Sequence, residues 1–243
     1  MGHKVHPTIH RTQVIYTWDS KWFGKKKYAE FAQNDIMIRE YLMGKFKDAH
    51  IDSISVERSP KNMTVTIFAA KPGFIIGRGG KGLDEVRKHI ERKFLKMNLK
   101  VKLNIKEVRM PSLSASVVAQ GFAGDIERRI PFRRVMKQGL ERVMNAGAQG
   151  VKIKMAGRLN GVEIARNETL SKGKIPLITL RSDVDYALVR AQTVYGAIGI
   201  KVWIYKGEIF GRKDKFTDTP EEGKDKSKPR QERKPFRGRS NTK

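Results

Sequence analysis

Ile75-Ile76-Gly77-Arg78-Gly79-Gly80-Lys81 is the stretch on which the reading of the fold turns. Its G-x-x-G core, Gly77 to Gly80, lets a backbone come close to phosphates, because glycine adopts turn conformations that a Cβ forbids. After it, Leu83, Val86, Ile90, Phe94 and Met97 recur at three- and four-residue steps. That spacing predicts a helix whose free N–H groups and positive dipole end face the loop. Arg78 and Lys81 add two cations there. Two rival glycine motifs fail. Gly77, Gly79 and Gly82 fit G-x-G-x-x-G, yet Pro72-Gly73 separates the loop from the preceding strand, and no parallel crossover is expected to follow. A nucleotide-binding P-loop needs a glycine where Ile75 stands and a Ser or Thr where Gly82 stands. A plain strand-to-helix turn is the remaining alternative.

Upstream, Tyr28, Phe31, Ile38, Tyr41, Leu42 and Phe46 mark an amphipathic helix. Two strand-like runs follow, Ile51 to Arg58 and Met63 to Ala69, separated by the turn-forming Ser59-Pro60-Lys61-Asn62. Downstream of the loop helix, Val101, Leu103 and Ile105 alternate as a third strand. Helix, strand, strand, glycine loop, helix, strand makes a compact α+β unit, and with its G-x-x-G it resembles a KH domain of the second topological type. In a KH module the loop clamps about four nucleotides while an apolar groove beside it takes the bases. Ile75 and Ile76 are placed to wall that groove.

Arg109-Met110-Pro111-Ser112 reads as a boundary, since Pro111 stops a strand and Ser112 or Ser114 can cap a new helix. Helices are predicted from Ser114 to Arg129 and from Pro131 to Ala146, the second closed by Asn145-Ala146-Gly147. Val151, Ile153 and Met155, then Val162 and Ile164, alternate with other residues on either side of Asn160-Gly161, which reads as a two-residue hairpin turn. Leu177 to Arg181 reads as a strand and Asp185 to Tyr195 as a short helix. A last strand carries Ile198, Ile200, Val202 and Ile204. The expected architecture is α+β throughout: an N-terminal arm (1–27), the KH type II unit (28–110), two helices packed on a mostly antiparallel four-stranded sheet (111–210), and a tail (211–243).

The chain of 243 residues has 51 Lys and Arg against 25 Asp and Glu, a formal charge of +26. Gly211 to Lys243 holds 12 of the basic and 6 of the acidic residues, with Phe216 and Phe236 its only large apolar side chains, and so reads as a disordered basic tail. The other 39 basic and 19 acidic residues leave +20 on the folded body. An excess of that size calls for a polyanionic partner, nucleic acid first. Zero cysteines exclude disulfide frameworks, thiolate zinc sites and cysteine nucleophiles. There is no apolar run of about 18 residues, and Met1 to Arg11 lacks the apolar segment of a signal peptide. A soluble, cytoplasmic protein without a membrane partner is expected.

Met1-Gly2-His3-Lys4-Val5-His6-Pro7, the KH-like unit, Phe132-Arg133-Arg134-Val135-Met136-Lys137, Gly157-Arg158-Leu159, Glu163-Ile164-Ala165-Arg166 and Gly199-Ile200-Lys201-Val202-Trp203-Ile204 follow one another over about residues 1 to 210. In that order they resemble the bacterial small ribosomal subunit S-three family. The resemblance implies a non-enzymatic, cofactor-free protein of the small-subunit head that binds ribosomal RNA and lines the channel through which messenger RNA enters. It further implies neighbours from the S-ten and S-fourteen families in the head and from the S-four and S-five families at the channel. By position, Arg133, Arg134 and Lys137 inherit the holding and unwinding of incoming messenger, and Gly77, Arg78, Gly79, Gly80, Lys81, Arg158 and Arg166 join the RNA-binding set. The residues themselves agree. A helix from Pro131 buries Phe132, Val135, Met136, Leu140 and Val143, leaving Arg133 and Lys137 one turn apart on an exposed face that Arg128, Arg129 and Arg134 extend. With only Glu141 following, that is no balanced surface. Two features depart from the family: the loop has Arg78-Gly79 where two basic residues are common, and Thr8-Ile9-His10 stands where a glycine is usual.

His3, His6 and His10 have spacings that suit a metal, but no carboxylate or thiolate completes a set, so solvated or RNA-facing histidines are expected and no metal. Asp183 and Asp185 either share one side of a strand and bind a cation or, the preferred reading, cap a helix beginning near Asp185. Trp18, Trp22, Phe23 and Tyr28 lie among Lys21, Lys25, Lys26 and Lys27, where aromatics either stack bases or anchor the arm on the first helix. Two functions rival the ribosomal one: a free-standing KH-type RNA-binding regulator or chaperone, and a nuclease using the Asp183/Asp185 pair.

Overall fold

A computed structural model describes residues 4–95 and 99–210, apart from the side chains of Arg78 and Lys81. The readings made for His3, Met97 and the tail lie outside the described residues. The arm begins with one helical turn, α1 (Pro7–His10), and continues to a two-residue strand, β1 (Ser20–Lys21). Then come α2 (Tyr28–Lys45), β2 (Ile51–Arg58), β3 (Asn62–Ala69), a single turn α3 (Gly73–Ile76), α4 (Lys81–Lys93) and β4 (Lys100–Glu107). Their sheet runs β1-β2-β3-β4, with β2 antiparallel to β3 and both outer pairs parallel. The parallel β3–β4 pair corrects the expectation that no parallel crossover follows the glycine loop. α3 and α4 carry the chain back along the sheet, a connection long enough for parallel pairing. The loop opens after a helical turn, α3, and not at the end of a strand as a dinucleotide fingerprint requires.

Met63, Val65, Ile67 and Ala69 alternate into a buried cluster with Ile38 and Leu42 of α2 and Val86 and Ile90 of α4. On α2 the buried stripe is Asp35, Ile38 and Leu42, while Tyr28 is 63% exposed, against the sequence reading. Asp35 has reason to be there. It accepts from Ser20 Oγ (3.0 Å), from Trp22 Nε1 (2.7 Å) and from both Nε and Nη2 of Arg58, whose guanidinium lies over Phe31. Trp22 also meets Phe31 edge-on, so it anchors the arm on α2, whereas Trp18 and Phe23 stay exposed.

The second unit comprises α5 (Ala115–Glu127), α6 (Phe132–Asn145), β5 (Gly150–Gly157), β6 (Arg166–Gly173), β7 (Ser182–Thr193) and β8 (Gly196–Glu208). Its sheet, β6-β5-β8-β7, is antiparallel throughout and shares one buried cluster with both helices. The helices meet where Gly139 faces Phe122: a Cβ on Gly139 would sit 2.2 Å from the ring.

Three local readings are corrected here. Asp185 to Tyr195 is strand and turn, not helix. Val184, Ala187 and Ala191 imitate helical spacing and alanine favours helices, but pairing with β8 along the whole of β7 overrides that preference. Asn160 (φ 59°) and Gly161 (φ 80°) adopt the positive φ expected of them, yet inside an eight-residue connection from Gly157 to Arg166 rather than a tight hairpin. Leu159, fully buried, pulls that connection into the core and leaves Ile164 83% exposed. Residues 177–181 are not a strand either. Their backbone takes another partner: Arg11, itself buried, donates to the carbonyls of Pro176, Leu177 and Thr179 at 3.0–3.1 Å and to that of Pro7 at 2.9 Å.

The two sheets are joined around the start of α5. Ser114 caps that helix by accepting from Val117 N–H and donates to Asp52 at the start of β2. Asp185 accepts from Ala115 N–H, and Ser116 and Gln120 both donate to the Ile51 carbonyl. His50 precedes this junction, and burial, then the Lys71 charge, lower its pKa from 6.5 against the opposing effect of Gln120. His6, edge-on to Tyr186, is also lowered by burial, with Asp185 opposing. For a histidine held neutral in the fold, the unfolded chain binds more protons once pH drops below about 6.5, so stability is complete above that value and is lost as pH falls toward the lowered folded pKa. Thermal midpoints should be level from about pH 8 to 7 and decline from about pH 6.5 to 5. His50→Gln should flatten the decline; an unaltered pH profile would count against this assignment.

Candidate nucleic-acid interface

Around the glycine loop, Gly77, Gly79 and Gly80 have φ of 70°, 63° and 78°, so the turn needs residues without a Cβ. Gly82 meets a different demand: a Cβ there would approach the Ile75 and Ile76 carbonyls to 3.0–3.1 Å. Gly80 precedes α4 without a side-chain cap. Ile75 is buried in the core and does not wall a groove; Ile76 and Phe74 are the exposed apolar residues here, at 38% and 61%. The side chains of Arg78 and Lys81 lie outside the described residues.

The second basic region is built on α6. Phe132, Val135, Met136, Gly139, Leu140 and Val143 are buried, and Arg133, Arg134 and Lys137 are exposed, as the spacing predicts. Arg133 reaches Glu168 on β6 at 3.7 Å, but with 73% of its side chain exposed that pair is worth at most about 1 kcal/mol. Arg128 and Arg129 stand just before α6. Arg129 has φ 63°, donates its N–H to Ile126 and is followed by Ile130 N–H bonding the Asp125 carbonyl. This ends α5 in a Schellman motif with an arginine at the position where glycine is the usual residue. A left-handed arginine costs about 1–2 kcal/mol, and it keeps a cation where glycine would have none.

Folding adds residues distant in sequence. Arg166 opens β6 opposite Gly157, and Arg158 follows that glycine. Arg158 donates Nε to the Val162 carbonyl (2.9 Å) and Nη1 to the Tyr195 carbonyl (3.4 Å), and its guanidinium lies 5.8 Å from the Tyr195 ring centre. A cavity of about 420 Å³ lies here, lined by Ile126 to Phe132 except Arg128, by Arg158 to Gly161 except Leu159, and by Gln192 to Tyr195. Sequence reasoning missed Tyr195. The signal available was Tyr195-Gly196 between two alternating runs, a hairpin tip.

The Asp183/Asp185 pair does not cap a helix of its own. Asp183 is buried and accepts from the Tyr16 hydroxyl, whose pKa burial and then Asp183 raise far above the ordinary range. Asp185 caps α5 and accepts from Lys206 Nζ at 3.3 Å. Burial alone would lower the Lys206 pKa, but Asp185, Asp183 and Asp52 together raise it, so the ammonium stays charged. Among the described residues no group of three or more His, Cys, Asp or Glu could hold a metal ion, and no helix is long and apolar enough to cross a membrane.

Residues 37–113 match the KH domain family, and residues 122–204 match the family described as ribosomal protein S3, C-terminal domain. The chain is 45% identical over 213 residues to small ribosomal subunit protein uS3 of Enterococcus faecalis, covering 88% of this chain and 96% of that one. It is 42% identical over 236 residues to the uS3 proteins of Burkholderia cenocepacia and Burkholderia vietnamiensis, covering 97% of this chain and 87% of each relative.

Proposed function

The chain belongs to the uS3 family of small ribosomal subunit proteins, and from that membership we propose that it is a structural constituent of the small-subunit head, acting in the cytoplasm. It binds ribosomal RNA and lines the channel through which messenger RNA enters, holding and helping to unwind the strand as translocation draws it in. Its neighbours are proteins of the S-ten and S-fourteen families in the head and of the S-four and S-five families at the channel. We propose the same division of the chain as the sequence suggested: arm, KH unit to about residue 110, second unit to about residue 210, and basic tail.

The observation that carries the messenger-facing role is the exposed α6 face, where Arg133, Arg134 and Lys137, with Arg128 and Arg129 before them, are countered at close range only by the weak Arg133–Glu168 pair among the described residues. Unpaired guanidinium and ammonium groups in this density suit a phosphate backbone. Arg158 and Arg166 widen the face, and the glycine loop offers a separate site for RNA backbone.

Replacing Arg133, Arg134 and Lys137 together by Ala should slow reconstituted ribosomes on a structured messenger and leave an unstructured one untouched. Equal rates through the structured region would contradict the assignment. If about six single-strand phosphates are neutralised, the isolated protein's log K should fall with log salt at a slope near −4, and the triple variant's slope should be about 2 units shallower.

A further inference from the structure

We propose that the cavity between the α5–α6 turn, the Arg158–Gly161 loop and the β7–β8 tip is a subsite for one unstacked nucleotide of single-stranded RNA, with its base on Tyr195 and its phosphate between Arg129 and Arg158. The proposal rests on the messenger-facing reading of α6, which adjoins the cavity through Phe132 at its first turn.

The volume, about 420 Å³, falls in the range of small-ligand pockets, roughly 300–1,000 Å³. Its contents suit a nucleotide. Tyr195 sits at the hairpin tip with 56% of its surface open, beside Val194 at 81%. The tip is held by Thr193 Oγ1 donating to the Gly196 carbonyl at 2.6 Å, so the ring is presented by a fixed turn. Behind the ring lies Gly161, where a Cβ would come within 2.9 Å of it; the absent side chain is what lets the ring lie back against the loop. Arg158 is pinned by two carbonyls yet has five N–H donors, which leaves donors for a phosphate. Arg129 supplies a second cation from its left-handed position on the rim. Glu127 is the single acid in the lining, and its Oε1 is occupied by Gln192 N–H at 3.0 Å. An aromatic platform flanked by arginines binds unpaired bases with little regard for sequence, because every base has a π-face. A subsite on an incoming messenger must meet that requirement.

The test is binding of a fluorescein-labelled uridine decamer to the full-length chain by anisotropy. Tyr195→Ala should weaken binding on the order of tenfold, the loss of one stacked base. Tyr195→Phe, which keeps the ring, should bind as the unaltered protein does. Wild-type affinity for Tyr195→Ala, or an equal loss in Tyr195→Phe, overturns the subsite. Should Tyr195→Ala melt early, a 4-thiouridine decamer cross-linked to the unaltered chain decides instead: adducts within residues 192–198 support the subsite, and adducts only elsewhere overturn it. The triple Arg133, Arg134, Lys137→Ala variant run alongside separates the two readings. Its loss together with wild-type binding by Tyr195→Ala removes the subsite and keeps the messenger face. The reverse pattern keeps the subsite and removes the face.

Discussion

Asp35→Ala should destabilise the first sheet by about 3–5 kcal/mol in urea unfolding. Asp35 and Arg58 expose only 3% and 4% of their side chains. Truncating the carboxylate strands a buried guanidinium and removes the acceptor for Ser20 and Trp22, and such loss of one partner costs more than the pair itself is worth. A loss of that size is a large part of a domain's total stability, about 5–15 kcal/mol. Asp35→Asn keeps an acceptor for Trp22 but no charge for Arg58, so its loss should fall between the alanine variant and the unaltered protein. A change below about 1 kcal/mol for Asp35→Ala would show the pair to be solvated and the placement of the arm on α2 to be independent of it.

The second large effect is expected at Arg11. Arg11→Leu removes the donors for three carbonyls between Pro176 and Thr179 and for the Pro7 carbonyl. Each acceptor that stays buried and unpaired costs about 1–3 kcal/mol, and opening of the loop to water moderates the total to about 3–5 kcal/mol. Hydrogen exchange should quicken at residues 177–182 and 12–16 together, since both segments lean on the same side chain. Arg11→Lys should recover less than half of the loss, because a compact ammonium cannot span acceptors arranged for a planar fork. Exchange that quickens in only one of the two segments would refute the shared anchor.

How far the sequence could be read depended on the range of the forces involved. The glycine loop, α5, α6 and strands β2, β3 and β4 follow from local periodicity and turn chemistry, and the exposed face of α6 follows from the residues it must bury. Reading failed where a distant partner decided the outcome. β7 looks helical until β8 is laid beside it. Residues 177–181 look like a strand until Arg11, more than 160 positions earlier, claims their carbonyls. Asp35 sits in a helix pattern as an ordinary polar residue, and only the fold brings Arg58 to it. At the interface the same limit applied: the α6 cations were visible as a cluster, but Arg158 and Tyr195 join Arg129 only when three separated turns converge.

The Arg11 anchor also has a consequence for the order in which the protein is completed. Chains are synthesised from the N-terminus at about 5–20 residues per second, so residues 7–16 emerge roughly 10–30 seconds before the segment that holds them. The part made first is therefore finished last. Until then the Arg11 guanidinium and the Tyr16 hydroxyl stay in solvent, and the early-made KH unit folds without its later tie through Ser114 and Gln120. Closure of residues 7–16 thus reports that the second unit has been made, and a chain cut short before Pro176 lacks every acceptor beyond the arm that Arg11 and Tyr16 use.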